Sequence, residues 1–286
     1  MKFVISLLLV ACAATAAFGQ SAPTLRIVTE DPNLPSDLYY GDIKVKPLRL
    51  RPGTNQKITI DDSDFMVQQH YIDFLNRMPE PGGFDGWVNI LNSCTAGNTS
   101  CDRIEVSSAF FRSTEFQQRG YGVYRLYSTA FNRVPKYVEF MPDLRRVSGF
   151  QTDAQLEASK AALVNDFAAR AEFNKKYGAL TTPTAYVDAL LKTVGLPAHP
   201  SRGGWIDALT KGTTTRVKVL RELSESGEVY NKYYTEAFVV MQYFGYLRRD
   251  PDILYKEWIK IMKANGGDYR VMINGFLNSV EYRNRF

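Results

Sequence analysis

The stretch Phe110-Phe-Arg-Ser113-Thr-Glu115-Phe116 decides the fold, because its frame comes back three times downstream. It returns as Phe167-Ala-Ala-Arg170-Ala-Glu172-Phe173, as Leu223-Ser-Glu-Ser226-Gly-Glu228-Val229, and as Phe276-Leu-Asn-Ser279-Val-Glu281-Tyr282. The four glutamates are separated by 57, 56 and 53 positions. A second frame lies upstream of the first: Leu75-Asn-Arg77-Met-Pro79, Phe131-Asn-Arg133-Val-Pro135 and Leu247-Arg-Arg249-Asp-Pro251. The third copy keeps the proline in Gly195-Leu-Pro197 but sets glycine where arginine is expected. All three tryptophans follow these prolines, Trp87 and Trp205 by eight positions and Trp258 by seven. The second copy lacks its tryptophan, and Leu144 is the expected stand-in. Three frames in one order, four times over, mark a repeat of roughly 55 residues.

Within a copy the apolar spacing is helical: Val67, His70-Tyr71 and Phe74-Leu75 fall at three- and four-residue steps on one face. Each unit is predicted to run helix, Arg-Pro stop, Trp-bearing helix, turn, third helix and Ser-x-Glu junction. Proline has no N–H and restricts the residue before it, so it ends the first helix. Arginine near that end meets free carbonyls and the negative end of the helix dipole. Ser113, Ser226 and Ser279 are expected to cap the next helix, reinforced by the adjacent glutamate. Recurrence of both charges suggests that Arg77, Arg133 and Arg249 reach Glu115, Glu172 and Glu281; two independent helix-end effects are the competing account. Such a unit cannot bury both faces alone, so units must stack. The expected fold is all-α: four degenerate three-helix repeats in one or two bodies, repeats 1 and 2 over 65–178 and repeats 3 and 4 over 179–286. Residues 20–64 differ. Thr24-Leu-Arg-Ile-Val28, Ile43-Lys-Val-Lys46 and Lys57-Ile-Thr-Ile60 suggest a short extended arm without a core of its own.

The first unit resembles a bacterial family, domain of unknown function 4214. The resemblance rests on the run from Phe65 through His70, Arg77 and Pro79 to Trp87, and on Ser108-Ala-Phe-Phe-Arg-Ser-Thr-Glu-Phe116. The last unit is similar again, from Ala237 through Arg249-Asp-Pro251 to Phe276-Leu-Asn-Ser-Val-Glu-Tyr282. The resemblance implies an exported α-helical adaptor with a fold similar to the linker domains of phycobilisomes. It supplies no catalytic residues, and a relation of fold alone implies no pigment-protein partner.

With 286 residues, 45% of them apolar and 13% aromatic, the chain can bury one large or two ordinary cores. A net charge of +5, with lysine and arginine scattered among acids, gives no footprint for nucleic acid. Met1-Lys2 followed by the apolar run Phe3–Ala17 and Ala17-Phe18-Gly19 is a leader pattern, so 1–19 is expected to be a signal peptide and the mature chain to begin at Gln20. Leu9-Val10-Ala11-Cys12 also fits a lipobox, which would acylate Cys12. No later run approaches about 20 apolar residues, so the mature chain should hold no transmembrane segment. Cys94 and Cys101 enclose six turn-forming residues and are expected to pair in an oxidising compartment.

Catalysis needs a base near neutrality, a nucleophile with a partner, or a metal. Only His70 and His199 exist, the first on an apolar stripe and the second in a loop expected to be solvated. Repeated glutamates point to repeated structural roles. The tryptophans read as core. Tyr39-Tyr40 and Tyr230, Tyr233 and Tyr234 are candidate platforms for a sugar ring. The expectation is an exported helical-repeat adaptor or scaffold for an envelope or extracellular protein or polysaccharide, without cofactor or metal. The alternatives are a lipoprotein anchored through Cys12 and a carbohydrate-binding or carbohydrate-active protein using paired carboxylates.

Overall fold

The computed structural model describes residues 58–149 and 152–286, together with the backbone of 25–28, 37–40 and 43–45. The leader 1–19, with Cys12, and the cleavage point before Gln20 lie outside the described residues. Three short strands, β1 (Leu25–Val28), β2 (Asp37–Tyr40) and β3 (Ile43–Val45), form an antiparallel sheet in the order β1-β2-β3. The register pairs Leu25 with Tyr40 and Tyr40 with Ile43. β2 was not anticipated, and of the alternation at 57–60 the described residues, 58–60, make no strand: Ile60 instead turns into the first helix and is buried.

From there to the C-terminus the described chain is helical. The first stretch holds α1 (Ser63–Leu75), α2 (Pro81–Ser93) and α3 (Arg103–Arg112). Next come α4 (Thr114–Gln118), α5 (Gly120–Phe131), α6 (Tyr137–Val147) and α7 (Asp153–Ala169). Then follow α8 (Ala171–Tyr177), α9 (Pro183–Val194), α10 (Arg202–Thr210) and α11 (Arg216–Glu225). The last stretch is α12 (Gly227–Gln242) continued by a π-helical turn (Tyr243–Leu247), α13 (Tyr255–Ala264), α14 (Arg270–Leu277) and α15 (Val280–Arg283). The expected single first helix is divided in two places. Arg119, at φ −106° and ψ −82°, separates α4 from α5, and a loop separates α8 from α9.

The first helices do not stop at proline. Each ends on a residue in the left-handed region: Asn76 (φ 53°), Asn132 (φ 51°), Gly195 (φ 69°) and Arg248 (φ 53°). That conformation breaks the ladder of hydrogen bonds and turns the chain away, and proline follows two to three positions later because it cannot resume the helix. The backbone therefore corrects the register of the third copy. Gly195 stands where Asn76 and Asn132 stand, and Leu196, not glycine, takes the arginine's place. The four junctions share a second geometry. Ser113, Arg170, Ser226 and Ser279 have φ between −61° and −65° and ψ between 144° and 153°. At the three serines the hydroxyl accepts from Phe116 N, Val229 N and Tyr282 N, satisfying a free helix donor. Arg170 gives up that cap and binds the buried Asp143 carboxylate at 2.5 and 2.8 Å.

One hydrophobic core runs from Ile60 to Tyr282 among the described residues. α5 is at its centre, packed against α9, α11 and α12. α1 lies on the π-helical turn and α3 on α14, so the end of the chain closes against its beginning. Gly245 permits that closure, since a Cβ there would overlap the Phe74 ring of α1.

Candidate functional site

The side chains that carry charge in each repeat frame are drawn to the corner between the end of a first helix and the following junction. Arg77 reaches over 38 positions to Glu115, with Nε and Nη2 each 2.7 Å from a separate carboxylate oxygen. Arg133 grips Glu172 through the same two nitrogens at 3.2 and 2.8 Å, and Arg249 grips Glu281 at 2.6 and 3.0 Å. In each case the remaining nitrogen, Nη1, donates to the carbonyl of the next residue: Met78, Val134 and Asp250. A second acid completes each clasp: Glu80, Glu139 or Asp252. Forked arginine–carboxylate pairs fix direction as well as distance, which suits a corner that must hold one helix at one angle to the next.

A tyrosine six positions before each arginine lies beneath the guanidinium. The Arg77, Arg133 and Arg249 groups stand 4.8, 5.3 and 5.3 Å from the rings of Tyr71, Tyr127 and Tyr243. Those rings meet Phe110, Phe167 and Phe276 edge-on at 5.0, 5.0 and 4.9 Å. Sequence reading missed the tyrosines, although their constant offset from the arginine was there to be seen. Proline enters no clasp; Pro79, Pro135 and Pro251 only stiffen the loops.

Burial grades the three clasps. The Arg77 side chain is 8% exposed, against 31% for Arg133 and 37% for Arg249. Burial alone would lower the Arg77 pKa, but bonds from Glu115 and Glu80 raise it above arginine's ordinary value. The bond from Arg249 holds Glu281 below the usual carboxylate range.

The third copy is built differently. With Leu196 in the arginine's place, His199 is the side chain that approaches Glu228, Nε2 lying 3.2 Å from Oε2 without the geometry of a hydrogen bond. The expectation of a solvated His199 is overturned: the side chain is buried and stacked on Trp205 with centroids 4.7 Å apart. Its Nδ1 accepts from Ser201 N at 3.2 Å. Trp205 is buried and donates to Glu222 at 2.7 Å. Trp87 and Trp258 instead lie at the rim of the core, each half-buried against the corresponding phenylalanine, Phe110 at 5.7 Å and Phe276 at 6.3 Å. Pro197 sits inside the His199 loop, and Leu144 is buried on α6.

Cys94 and Cys101 are joined by a disulfide with Cα atoms 5.5 Å apart. Arg270 at the start of α14 donates to Thr99 O at 2.9 Å and to Asp102, so the closed loop is held by the far end of the chain.

His70 offers no base. It is fully buried, Nε2 is 2.8 Å from Ser107 Oγ, and burial pushes its pKa down to about 3. Tyr230, Tyr233 and Tyr234 do not form an open platform. Tyr233 is buried, and Tyr230 and Tyr234 lie 5.1 and 5.8 Å from the Tyr121 ring of α5. The side chains of Tyr39 and Tyr40 lie outside the described residues. Among the described residues no three His, Cys, Asp or Glu side chains converge as a metal site would require, and no helix is long and apolar enough to cross a membrane.

The stretch with the most enclosed clasp also carries the disulfide. Residues 54–120 match the family Domain of unknown function (DUF4214). The DUF4214 match spans α1, α2, α3 and α4, and therefore Arg77, Pro79, Trp87, both cysteines and Glu115. No curated protein and no solved structure matches the chain.

Proposed function

We propose that the chain is an exported adaptor or scaffold, built from four degenerate helical units, that binds envelope or extracellular partners through the surface of its packed helices. One observation carries this reading: the recurring arginine, glutamate and tyrosine side chains are engaged with one another at the unit corners, where they hold the body together. The shared left-handed caps, junction angles and clasps at three corners support a repeated unit, with His199 and Glu228 as the variant corner. A disulfide-closed loop fits an oxidising compartment, in line with a leader over 1–19. The alternative of a hydrolase with paired carboxylates gains no support from Asp73 or Asp143, each neutralised by arginine.

The test is capture of partners from envelope extract on the immobilised mature chain, before and after glycan digestion. Partners retained after digestion support a protein-binding adaptor, and loss on digestion supports a polysaccharide-binding one. Turnover of an envelope glycan by the purified chain would contradict both. Mass spectrometry of the mature N-terminus separates cleavage before Gln20 from acylation at Cys12.

A further inference from the structure

At the Arg249 corner the chain exposes apolar side chains that its own packing does not use. Arg249 bonds Asp252 and Glu281 and donates to Asp250 O, and the Asp250 carboxylate accepts from Tyr137 N at 2.5 Å. Tyr137, Asp252 and Glu281 are each the sequence neighbour of an aliphatic side chain in solvent: Val138, Ile253 and Val280, exposed by 73%, 73% and 74%. Leu254, beside Ile253, is 58% exposed. Single exposed aliphatics are ordinary, but several brought to one corner mark a contact surface.

α13 starts at the same corner. Its inner face is fixed by Met262, which is buried, and by Trp258, which packs on Phe276. Lys256, Lys260 and Lys263 follow at steps of four and three, so they share one side of the helix, and all three are exposed. The acids nearby are engaged, Asp252 and Glu281 by Arg249 and Glu257 by Lys260. Lys256 and Lys263 hold no ion pair among the described residues.

We propose that this end of the molecule docks on an anionic lipid surface. Ile253, Leu254 and Val280 enter the boundary between headgroups and acyl chains, and the lysines of α13 meet lipid phosphates while their stems lie along apolar surface. Each lysine beside such a surface adds to the attraction, which salt screens. An anionic polysaccharide would satisfy the lysines but would take no aliphatic tips out of water, so the apolar half of the patch favours lipid. The proposal rests on the adaptor reading and names a lipid surface as what one end of the adaptor holds.

The experiment floats the purified chain from Gln20, which carries no acyl group, with phosphatidylcholine vesicles containing about one-third phosphatidylglycerol. Binding is expected at low salt, at least tenfold weaker to phosphatidylcholine alone, and lost at about 0.5 M salt. Joint replacement of Lys256, Lys260 and Lys263 by Gln should weaken binding at least tenfold. Ile253→Ser with Leu254→Ser should weaken it at least fivefold, and if that variant fails to fold, Val280→Ser carries the apolar half of the test. Lys175→Gln, Lys192→Gln and Lys218→Gln together remove the same charge from other exposed positions and should leave binding unchanged. Equal binding to vesicles without phosphatidylglycerol, equal weakening by the second lysine set, or unchanged binding after loss of the aliphatic side chains would each overturn the proposal. Binding to dextran sulfate as tight as to vesicles would also overturn it, by assigning the face to a polyanion. Capture of partners from envelope extract is a separate measurement, so failure on vesicles and failure of the adaptor reading are told apart.

Discussion

Asp73 on α1 and Arg285, 212 positions later, share hydrogen bonds of 2.8 and 3.1 Å in the closed interior of the body. Arg285 also donates to the carbonyls of Gly245 and Tyr246, and Arg248 bonds the same carboxylate at 3.0 Å. Burial alone would raise the Asp73 pKa; Arg285 and Arg248 together bring it below its ordinary value. The first helix and the last residues are therefore joined by charge at a carboxylate that has no exposed side-chain surface.

Removing one partner from a buried pair leaves the other stranded. Arg285→Met should lower stability by about 3 kcal/mol, somewhat moderated by Arg248, and Asp73→Asn by a similar amount. Urea unfolding of both variants and of the double variant measures the coupling. Additive losses would mean the pair is not a unit.

His70 makes stability depend on pH in a defined direction. Its folded pKa of about 3 lies below the ordinary 6.5, so the unfolded chain takes up the proton first. Stability from this group is complete above pH 6.5 and falls as pH drops from 6.5 toward 3, by about 2 kcal/mol between pH 6.5 and 5. His70→Gln should flatten that part of the urea-midpoint profile. An unchanged profile would place the acid sensitivity elsewhere.

The disulfide closes a short loop, so its removal is expected to cost about 2 kcal/mol. Because Arg270 holds the same loop, paired Cys94→Ser and Cys101→Ser substitutions should also raise hydrogen exchange at the start of α14. Exchange confined to the loop would show that α14 does not depend on it.

The serine caps give a graded control. Ser113→Ala, Ser226→Ala and Ser279→Ala should each cost about 1 kcal/mol. Arg170→Ser should destabilise despite restoring the cap, because Asp143, which also accepts from Tyr127 at 2.7 Å, would lose its cation. A stabilised Arg170→Ser variant would contradict that ranking.

What could be seen in the sequence was what recurs at fixed spacing: the helical stripes, the Arg and Glu frames, the serine junctions and the cysteine pair. The third-copy register was misplaced because Gly195 was matched by residue type, whereas the backbone needs a left-handed residue that Asn76, Asn132 and Arg248 also supply. Burial of His199 followed from its stacking on Trp205, a contact that loop composition does not reveal. Closure through Asp73 and Arg285 had no local signal at all, since partners at that separation are chosen by packing.

The central claim is that one corner was used repeatedly and that its charges hold helices together. Double-mutant cycles on Arg77–Glu115, Arg133–Glu172 and Arg249–Glu281, using alanine replacements, test it most directly. Each pair should show positive coupling, about 2 kcal/mol at the enclosed Arg77 corner and about 0.5 kcal/mol at the two more exposed ones. Coupling indistinguishable from zero at all three corners would contradict the account.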